Sequence, residues 1–207
     1  MRDRVAWGVV KFPHEKPELL PPDLLLNAYA EGIFPMSMES GEIGWFSPDP
    51  RGIIPLDERF HIPHGLKRTL RKAPFEIRFD TSFRDVMMGC AERKSTWISD
   101  LIVASYGRLF DLGFGHSVEA WQDGRLVGGL YGIAIGGVFF GESMFSRVTD
   151  ASKVALVALV ERLRASGFTL LDTQWTTQHL ETFGAEEISR REYLKLLRHG
   201  VGLAVTF

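Results

Sequence analysis

The residues best suited to chemistry in this sequence of 207 residues are a carboxylate and an amide at the end of an apolar segment. Residues 168–171 are apolar or β-branched, and they are followed by Asp172 and, two positions later, Gln174. Side chains two apart on a strand point to the same face, so this pair could hold one proton-bearing group. At a buried strand end, a carboxylate pKa can rise towards the value that a general base needs. The alternative is that Asp172 caps a neighbouring loop.

A second carboxylate, Glu142, lies within an apolar and aromatic stretch, residues 139–147. A charged group in such surroundings needs either a partner or a function. Arg147 is the candidate partner in an ion pair, and a role in an active site is the alternative.

The charge of the chain is nearly balanced but unevenly distributed. The net charge of -2 argues against a protein that coats nucleic acid by bulk charge. Residues 61–78, however, hold five basic side chains against one acidic, which is +4 and leaves -6 for the rest. Lys67, Arg68 and Arg71 share one broad face of a predicted helix there. This face is a candidate phosphate-binding surface, with a solvated helix face as the alternative.

Several other chemistries are excluded or disfavoured. The single cysteine, Cys90, excludes an intramolecular disulfide and a cysteine-based metal cluster. His61 and His64 are three apart but lack a third ligand, so we expect no metal site. We find no glycine-rich nucleotide-binding loop and no uninterrupted apolar stretch long enough to span a membrane. The apolar run at residues 5–10 is too short for a signal peptide, so we expect a cytoplasmic protein.

Element patterns suggest two units around these residues. All ten prolines fall at or before Pro74, which predicts a small, loop-rich domain over residues 1–60 and a regular domain over 61–207. An Asp123-Gly124 hairpin turn is the strongest local signal. The sequence also predicts helices at 23–31, 64–72, 82–92, 99–113, 151–166 and 190–197, and strands at 75–80, 116–121, 126–135, 138–142 and 168–172. This order is typical of an α+β fold with a mixed, largely antiparallel sheet.

Nine strings, in order along the chain, resemble one known family. They include YAEGIFP at residues 29–35, WFSPDPR at 45–51, FGESMFSR at 140–147, LDTQ at 171–174 and RREYL at 190–194. Each string alone is weak, but the ordered set is specific and covers the chain from about residue 20. It resembles the leucyl/phenylalanyl-tRNA–protein transferase family.

The resemblance implies a bacterial, cytoplasmic enzyme of the N-degron pathway. Such an enzyme moves Leu, Phe or Met from aminoacyl-tRNA to the α-amino group of a protein that begins with Arg or Lys. The implied fold is a small N-terminal α/β domain followed by a domain resembling the GCN5-related acyltransferases. The aminoacyl ester is already activated, so we expect no cofactor and no metal.

The resemblance also implies roles for individual residues. Asp172 would attract the amine proton through Gln174, and Glu142 would help to hold the amine. Met36 stands where the family often has tryptophan, and a thioether covers a base without stacking on it as an indole does. The implied aminoacyl pocket is Leu130, Phe139, Leu159 and Leu171, the implied site for the tRNA 3′-adenosine is Tyr29, Met36, Trp97 and Tyr106, and the implied contacts to the tRNA backbone are Lys67, Arg68 and Arg71.

Two other functions stay open at this point. A coenzyme A-dependent N-acetyltransferase would share the fold, but the segment 146–150 before the predicted helix lacks the glycines that such enzymes use for pyrophosphate and carries an acid. A non-enzymatic binder of RNA or of protein N-termini is the other.

Overall fold

The computed structural model describes residues 6–10, 19–93 and 95–207. In that part of the chain, strands and helices alternate along most of the length. The strands are β1 (Ala6–Val10), β2 (Phe34–Ser37), β3 (Ile43–Phe46), β4 (Arg51–Ile54), β5 (Glu76–Phe79), β6 (Gly115–Gln122), β7 (Arg125–Ile135), β8 (Val138–Ser146), β9 (Leu170–Gln174) and β10 (Glu186–Ile188). The helices are α1 (Pro22–Ala30), α2 (His64–Lys72), α3 (Phe83–Ala91), α4 (Asp100–Asp111), α5 (Ala151–Ala165), α6 (Gln178–Glu181) and α7 (Arg190–Val201).

The strands form two sheets. The smaller sheet has the order β1-β3-β2, with both pairs antiparallel. The larger one has the order β10-β4-β9-β8-β7-β6-β5. Only the β8–β9 pair in the larger sheet is parallel, because helix α5 connects these strands and carries the chain back to the same edge. The α+β class with a mixed, largely antiparallel sheet is therefore confirmed.

The hairpin predicted from Asp123-Gly124 is also confirmed. It joins β6 to β7, and both turn residues have positive φ, 50° at Asp123 and 71° at Gly124. Asp and Gly accept this conformation more readily than most residues, and the turn twist matches that of the two strands. A second tight turn, with Gly136 at φ 54°, joins β7 to β8. The two turns place the three long strands β6, β7 and β8 side by side, and β8 contains Glu142.

The large sheet has a hydrophobic core on each face. The first core lies on the side of α3 and α4 and includes Tyr29, Tyr106 and Phe140. The second core lies on the side of α5 and includes Phe139 and Leu171. Because side chains alternate along a strand, neighbouring residues such as Phe139 and Phe140 belong to different cores.

Two helix starts differ in how they are capped. The Ser99 hydroxyl accepts a hydrogen bond from the Ile102 amide at the start of α4, which is the usual contact of an N-cap serine. Asp150 precedes α5, and although aspartate is a common N-cap residue, its side chain caps no amide there. Its carboxylate instead accepts hydrogen bonds from Lys153 and Thr69, which links the start of α5 to α2.

The pairing of the strands does not follow the predicted division into two units. Strand β4 pairs with β9 and β10 in the large sheet, although it precedes residue 60. The division near residue 60 stays a prediction. Residues 1–5, 11–18 and 94 lie outside the described residues, and the described part of the apolar run at 5–10 forms strand β1.

We expect Gly32→Ala to destabilise the protein more than Gly113→Ala. Both glycines have left-handed φ, 76° and 82°, so both substitutions carry a strain of about 1–2 kcal/mol. A Cβ on Gly113 meets open space, but a Cβ on Gly32 lies 2.9 Å from the Tyr193 ring, which adds roughly 1–3 kcal/mol of overpacking. Urea denaturation of both variants measures the difference, and equal losses would contradict the close packing of α7 against this turn.

Candidate active site

Glu142 occupies a bulge in β8. Across the β7–β8 pair, Tyr131 is opposite Ser143 and Gly132 is opposite Gly141, so Glu142 has no partner on β7. An extra residue of this kind re-aims a side chain, and bulges are common next to active sites. On the other edge of β8, the pairing with β9 ends at Phe140 and Asp172. Glu142 therefore lies just beyond the last pair, where the backbones are free to separate.

Neutral hydrogen-bond donors surround the Glu142 carboxylate. The Tyr29 hydroxyl donates to Oε1 over 2.7 Å, and the Gln174 amide nitrogen Nε2 lies 3.3 Å from the same oxygen. The Tyr29 hydroxyl is also hydrogen-bonded to that of Tyr106. Burial raises the pKa of both tyrosines well above the ordinary value, so both are protonated at neutral pH. Glu142 thus has polar contacts without a cation directly attached.

This environment makes Glu142 a weak acid. Burial raises its pKa from 4.5 to about 8, the negative charge of Asp172 adds to the rise, and the Tyr29 hydrogen bond and the Arg51 charge oppose it. The residue still keeps partial contact with solvent, unlike Asp172, which is fully buried. A carboxyl group with these properties changes charge near the pH at which proteins work, and a substrate can reach it.

Asp172 has a very different environment. Its Oδ1 accepts from Arg51 Nε at 2.9 Å and from the Gln174 backbone amide at 2.8 Å. Its Oδ2 accepts from the second arm of Arg51 at 2.6 Å and from the Tyr193 hydroxyl at 2.8 Å. The pattern is a two-armed ion pair completed by two neutral donors, which is the strong form of charge-assisted hydrogen bonding.

Arg51 connects four parts of the fold. It is the first residue of β4 and is buried, with its remaining arm donating to the Gly32 carbonyl at the turn after α1. The Phe34 and Tyr193 rings lie 5.0 and 4.4 Å from its guanidinium carbon. Burial alone would lower the pKa of Arg51, but Asp172 outweighs this and the pKa is raised. The guanidinium is therefore always charged.

The sequence pattern does not single out Arg51 or Tyr193. Arg51 ends a proline-rich turn and Tyr193 lies in a helix with many charges, so neither has a local signal for burial. A buried Asp172 does require a cation, but several arginines could supply it. Of the two interpretations of Glu142, the ion pair with Arg147 is wrong, because Arg147 pairs with Glu92 at 2.7 Å on the surface.

Gln174 has a backbone conformation that is rare for a residue with a side chain. Its φ is 59°, and it follows a bulge at Thr173 in the β4–β9 pair. Such a conformation persists only where surrounding contacts hold it. The contact from its own amide to Asp172 is one of them, and it leaves the Gln174 side chain on the side of Glu142.

The residues of the expected aminoacyl pocket lie together in the second core. Phe139 and Leu171 are cross-strand neighbours, and all four members are at most 3% exposed. They lie on the α5 side of the sheet, whereas Tyr29 and Tyr106, beside Glu142, belong to the first core. The pocket assignment stays a prediction, and it places the aminoacyl side chain on the α5 side of the sheet. The members are Leu130, Phe139, Leu159 and Leu171.

The residues expected around the tRNA 3′-adenosine differ in exposure. Tyr29 and Tyr106 are buried and face Glu142, and Met36 is 8% exposed. Trp97 is partly exposed, and its carbonyl accepts from the Ser37 amide, next to Met36. Stacking on adenosine stays a prediction for this group, and the tyrosines also have a structural role through their hydroxyls.

The basic residues of α2 are exposed. Lys67, Arg68 and Arg71 all face solvent, and no ion pair with another described residue involves them. Leu66 on the opposite face is buried in the second core. The helix thus presents unpaired positive charge, which suits a phosphate backbone.

Metal-ligating groups are scarce in the described residues. Across residues 19–93 and 95–207, no group of three or more His, Cys, Asp and Glu side chains is close enough to hold a metal ion. Nor does any helix of the described residues have the length and apolarity needed to cross a membrane.

Comparison with known proteins identifies the family. The sequence model of the leucyl/phenylalanyl-tRNA protein transferase family matches residues 53–198, and that of the N-terminal domain of the same family matches residues 18–49. The first match alone covers more than half of the chain. The chain belongs to the leucyl/phenylalanyl-tRNA protein transferase family.

Individual relatives agree with this assignment to the leucyl/phenylalanyl-tRNA protein transferases. The leucyl/phenylalanyl-tRNA–protein transferase of Herpetosiphon aurantiacus is 60% identical over 188 residues, covering 91% of this chain and 98% of that protein. The protein of the same name from Akkermansia muciniphila is 56% identical over 186 residues, covering 88% and 96%. A GCN5-related N-acetyltransferase-like protein from Streptococcus suis has a TM-score of 0.37 at 15% identity, covering 81% of this chain and 64% of that one. That score is low, and the fold class rests on the sheets and helices themselves.

We expect the free energy of unfolding of Glu142→Gln, relative to that of wild type, to increase as the pH rises. With a pKa raised from 4.5 to about 8, the folded protein keeps a proton that the unfolded chain releases between these values. Wild-type stability is therefore lost as pH rises through this window, by at most about 1.4 kcal/mol per pH unit and by less because the group keeps solvent contact. The neutral amide has no such loss.

Urea denaturation at about pH 5 and about pH 8 tests this difference. The surface variant Glu92→Gln is the matched control and should show no comparable trend. A constant stability difference between Glu142→Gln and wild type across the two pH values would contradict the raised pKa.

Proposed function

We propose that this protein transfers leucine, phenylalanine or methionine from aminoacyl-tRNA to the α-amino group of proteins that begin with Arg or Lys. Family membership supports the reaction class. The observation that carries the chemistry is the partly exposed Glu142 carboxylate beside the Gln174 amide, at the point where β8 and β9 stop pairing.

The reaction needs little from the protein beyond positioning and a proton acceptor. The ester carbon of aminoacyl-tRNA is already reactive, and the attacking amine must be neutral. Holding the two substrates together turns a bimolecular step into an effectively unimolecular one, which supplies much of the acceleration. Glu142 and Gln174 are the groups that we propose to act on the substrate amine, with Asp172 holding the Gln174 backbone beside them and with no cofactor or metal.

The aminoacyl pocket would select for side-chain shape. The proposed members Leu130, Phe139, Leu159 and Leu171 are all apolar, so they favour an apolar side chain. A pocket of this kind discriminates by roughly 1–3 kcal/mol for one methyl-sized difference. The N-degron role and the cytoplasmic location stay predictions from the family resemblance.

The structure disfavours the coenzyme A-dependent alternative. A pyrophosphate would bind at the start of α5, but the Asp150 carboxylate is held there by Lys153 and Thr69. A fixed negative charge at a helix start repels an anion that would otherwise bind the amide groups.

Transfer of labelled leucine from Leu-tRNA to a peptide that begins with Arg is the direct test. We expect transfer to Arg- and Lys-starting peptides and little to Asp- or Met-starting ones. An Arg peptide with an acetylated α-amine is the control, because it keeps the side chain and removes the nucleophile. Lack of transfer by the wild-type protein, or acetyl transfer from acetyl-CoA instead, would overturn the proposed function.

The basic face of α2 makes a separate prediction. Reversing Lys67, Arg68 and Arg71 to Glu should weaken tRNA binding and lower the slope of log affinity against log salt by about 2–3, since each lost phosphate contact removes about 0.7–0.9. The matched control reverses Arg191, Lys195 and Arg198 on α7, which changes the net charge equally. Equal effects of the two triple variants would show that bulk charge, and not α2, attracts tRNA.

A further inference from the structure

We propose that Glu142, and not Asp172, takes the proton from the attacking amine, and that Arg51 is a positioning residue that keeps Asp172 a fixed anion. The inference rests on the proposed function, because it concerns the same reaction. Four observations lead to it: the filled hydrogen-bond sites of Asp172, the direction of the Gln174 side chain, the accessible carboxylate of Glu142 and the contacts of Arg51.

Asp172 has no acceptor site left for a substrate proton. An ionised carboxylate offers roughly four acceptor positions. Arg51 fills two, and Tyr193 and the Gln174 backbone amide fill the others, all within 2.9 Å. Protonating this carboxylate would separate it from a buried cation and leave that cation unpaired, which is strongly unfavourable. The side chain is also fully buried, so an amine cannot touch it.

Gln174 does not relay a proton to Asp172. Its contact with Asp172 is made by the backbone amide, whereas its side-chain amide donates to Glu142. A side-chain amide does not titrate in this pH range, so it can orient a substrate but not store its proton. The Gln174 side chain, at the point where β8 and β9 stop pairing, is therefore hydrogen-bonded to Glu142 and not to Asp172.

Glu142 has the free acceptor. The hydrogen bonds that the Tyr29 hydroxyl and the Gln174 amide donate to it both end on Oε1, and Tyr106 contributes a further side-chain hydrogen bond to the carboxylate. An ionised carboxylate offers roughly four acceptor positions, so one is left for an incoming amine, in a residue that keeps solvent contact. Titratable and charged side chains from six elements surround the carboxylate: Tyr29, Arg51, Tyr106, Tyr131, Asp172 and Tyr193.

The proton balance of the step is complete with these groups. The neutral amine attacks the ester carbon, and the new carbon–nitrogen bond forms while Glu142 accepts the proton that the nitrogen loses. The carbon–oxygen bond to the tRNA ribose then breaks, and the Glu142 carboxylic acid returns the proton to the leaving oxygen. Glu142 ends ionised, and no further acid, base or cofactor is consumed.

Arg51 holds the residues that make this arrangement. By fixing Asp172 it also fixes the Gln174 backbone amide, and through the Gly32 carbonyl it holds the turn that follows α1, the helix carrying Tyr29. Its charge and that of Asp172 act on Glu142 in opposite directions, since Arg51 lowers and Asp172 raises the pKa of Glu142. Replacing either one should move the pH dependence of the reaction in a direction known in advance.

The pH dependence of kcat/KM for an Arg-starting peptide tests the proposal. The amine pKa of the free peptide, measured by NMR titration, assigns one ionisation. Wild type should show a second ionisation, so that log kcat/KM rises with pH on the acid side with a limiting slope of about two. Glu142→Gln should keep only the peptide's ionisation, with a slope of about one and a kcat/KM that is lower by roughly 10²–10⁴-fold. The surface control Glu92→Gln should match wild type.

The variant Asp172→Asn distinguishes the role of Asp172 from that of Glu142. If Asp172 is a fixed anion, this variant keeps both ionisations, and the one from Glu142 moves to lower pH because a nearby negative charge is gone. Arg51→Met should move the same ionisation to higher pH. If that variant does not fold, Arg51→Lys keeps the charge, so kcat should fall while the ionisation stays in place.

The outcomes distinguish the inference from the proposed function. A slope of about two in Glu142→Gln, together with a slope of about one in Asp172→Asn, would make Asp172 the base and overturn the inference while leaving the transferase activity intact. A kcat that Arg51→Lys leaves unchanged, together with a Glu142 ionisation that Asp172→Asn leaves in place, would overturn the positioning role of Arg51. Absence of transfer by wild type would overturn the proposed function and this inference with it.

Discussion

The ion pair between Arg51 and Asp172 is buried on both sides, and the residues around it supply the hydrogen bonds that stabilise it. Two charges removed from water lose several kcal/mol of hydration each, which their attraction offsets only when the geometry is good and the other polar atoms are satisfied. Here the carboxylate has four donors, and the remaining guanidinium arm reaches the Gly32 carbonyl. Because these partners come from the α1–β2 turn, β4, β9 and α7, the pair joins the turn after α1 and helix α7 to the large sheet.

Two carboxylates near one end of the sheet acquire opposite properties from this arrangement. Asp172 has a cation and no solvent, so its charge is compensated and inaccessible. Glu142 has tyrosine hydroxyls and an amide as direct partners and some access to solvent, so its charge is poorly compensated and its pKa is raised to about 8. Environments that separate two neighbouring acids in this way are how proteins assign different roles to chemically similar groups.

The two faces of the large sheet separate the proposed aminoacyl pocket from the proposed catalytic carboxylate. Alternation along β8 places Phe139 in the second core, and the bulge at Glu142 directs that carboxylate to the Tyr29 hydroxyl on the other face. In the proposed arrangement, a substrate that contacts both groups enters where β8 and β9 stop pairing. The exposed cations of α2 remain outside this division, as expected for contacts with a phosphate backbone that need no burial.

The sequence by itself determined the α+β class, the Asp123-Gly124 hairpin, most helices and the apolar strand that ends at Asp172, since these depend on residues close together in the chain. It also pointed to Glu142, Asp172 and Gln174, first through the apolar segments that carry them and then through a family resemblance. The tertiary structure alone decided the partners of those residues. Arg51 is 121 residues from Asp172 and Tyr29 is 113 residues from Glu142, so no local periodicity can express either contact. Burial and charge compensation select these pairs, and both exist only after the two cores have formed.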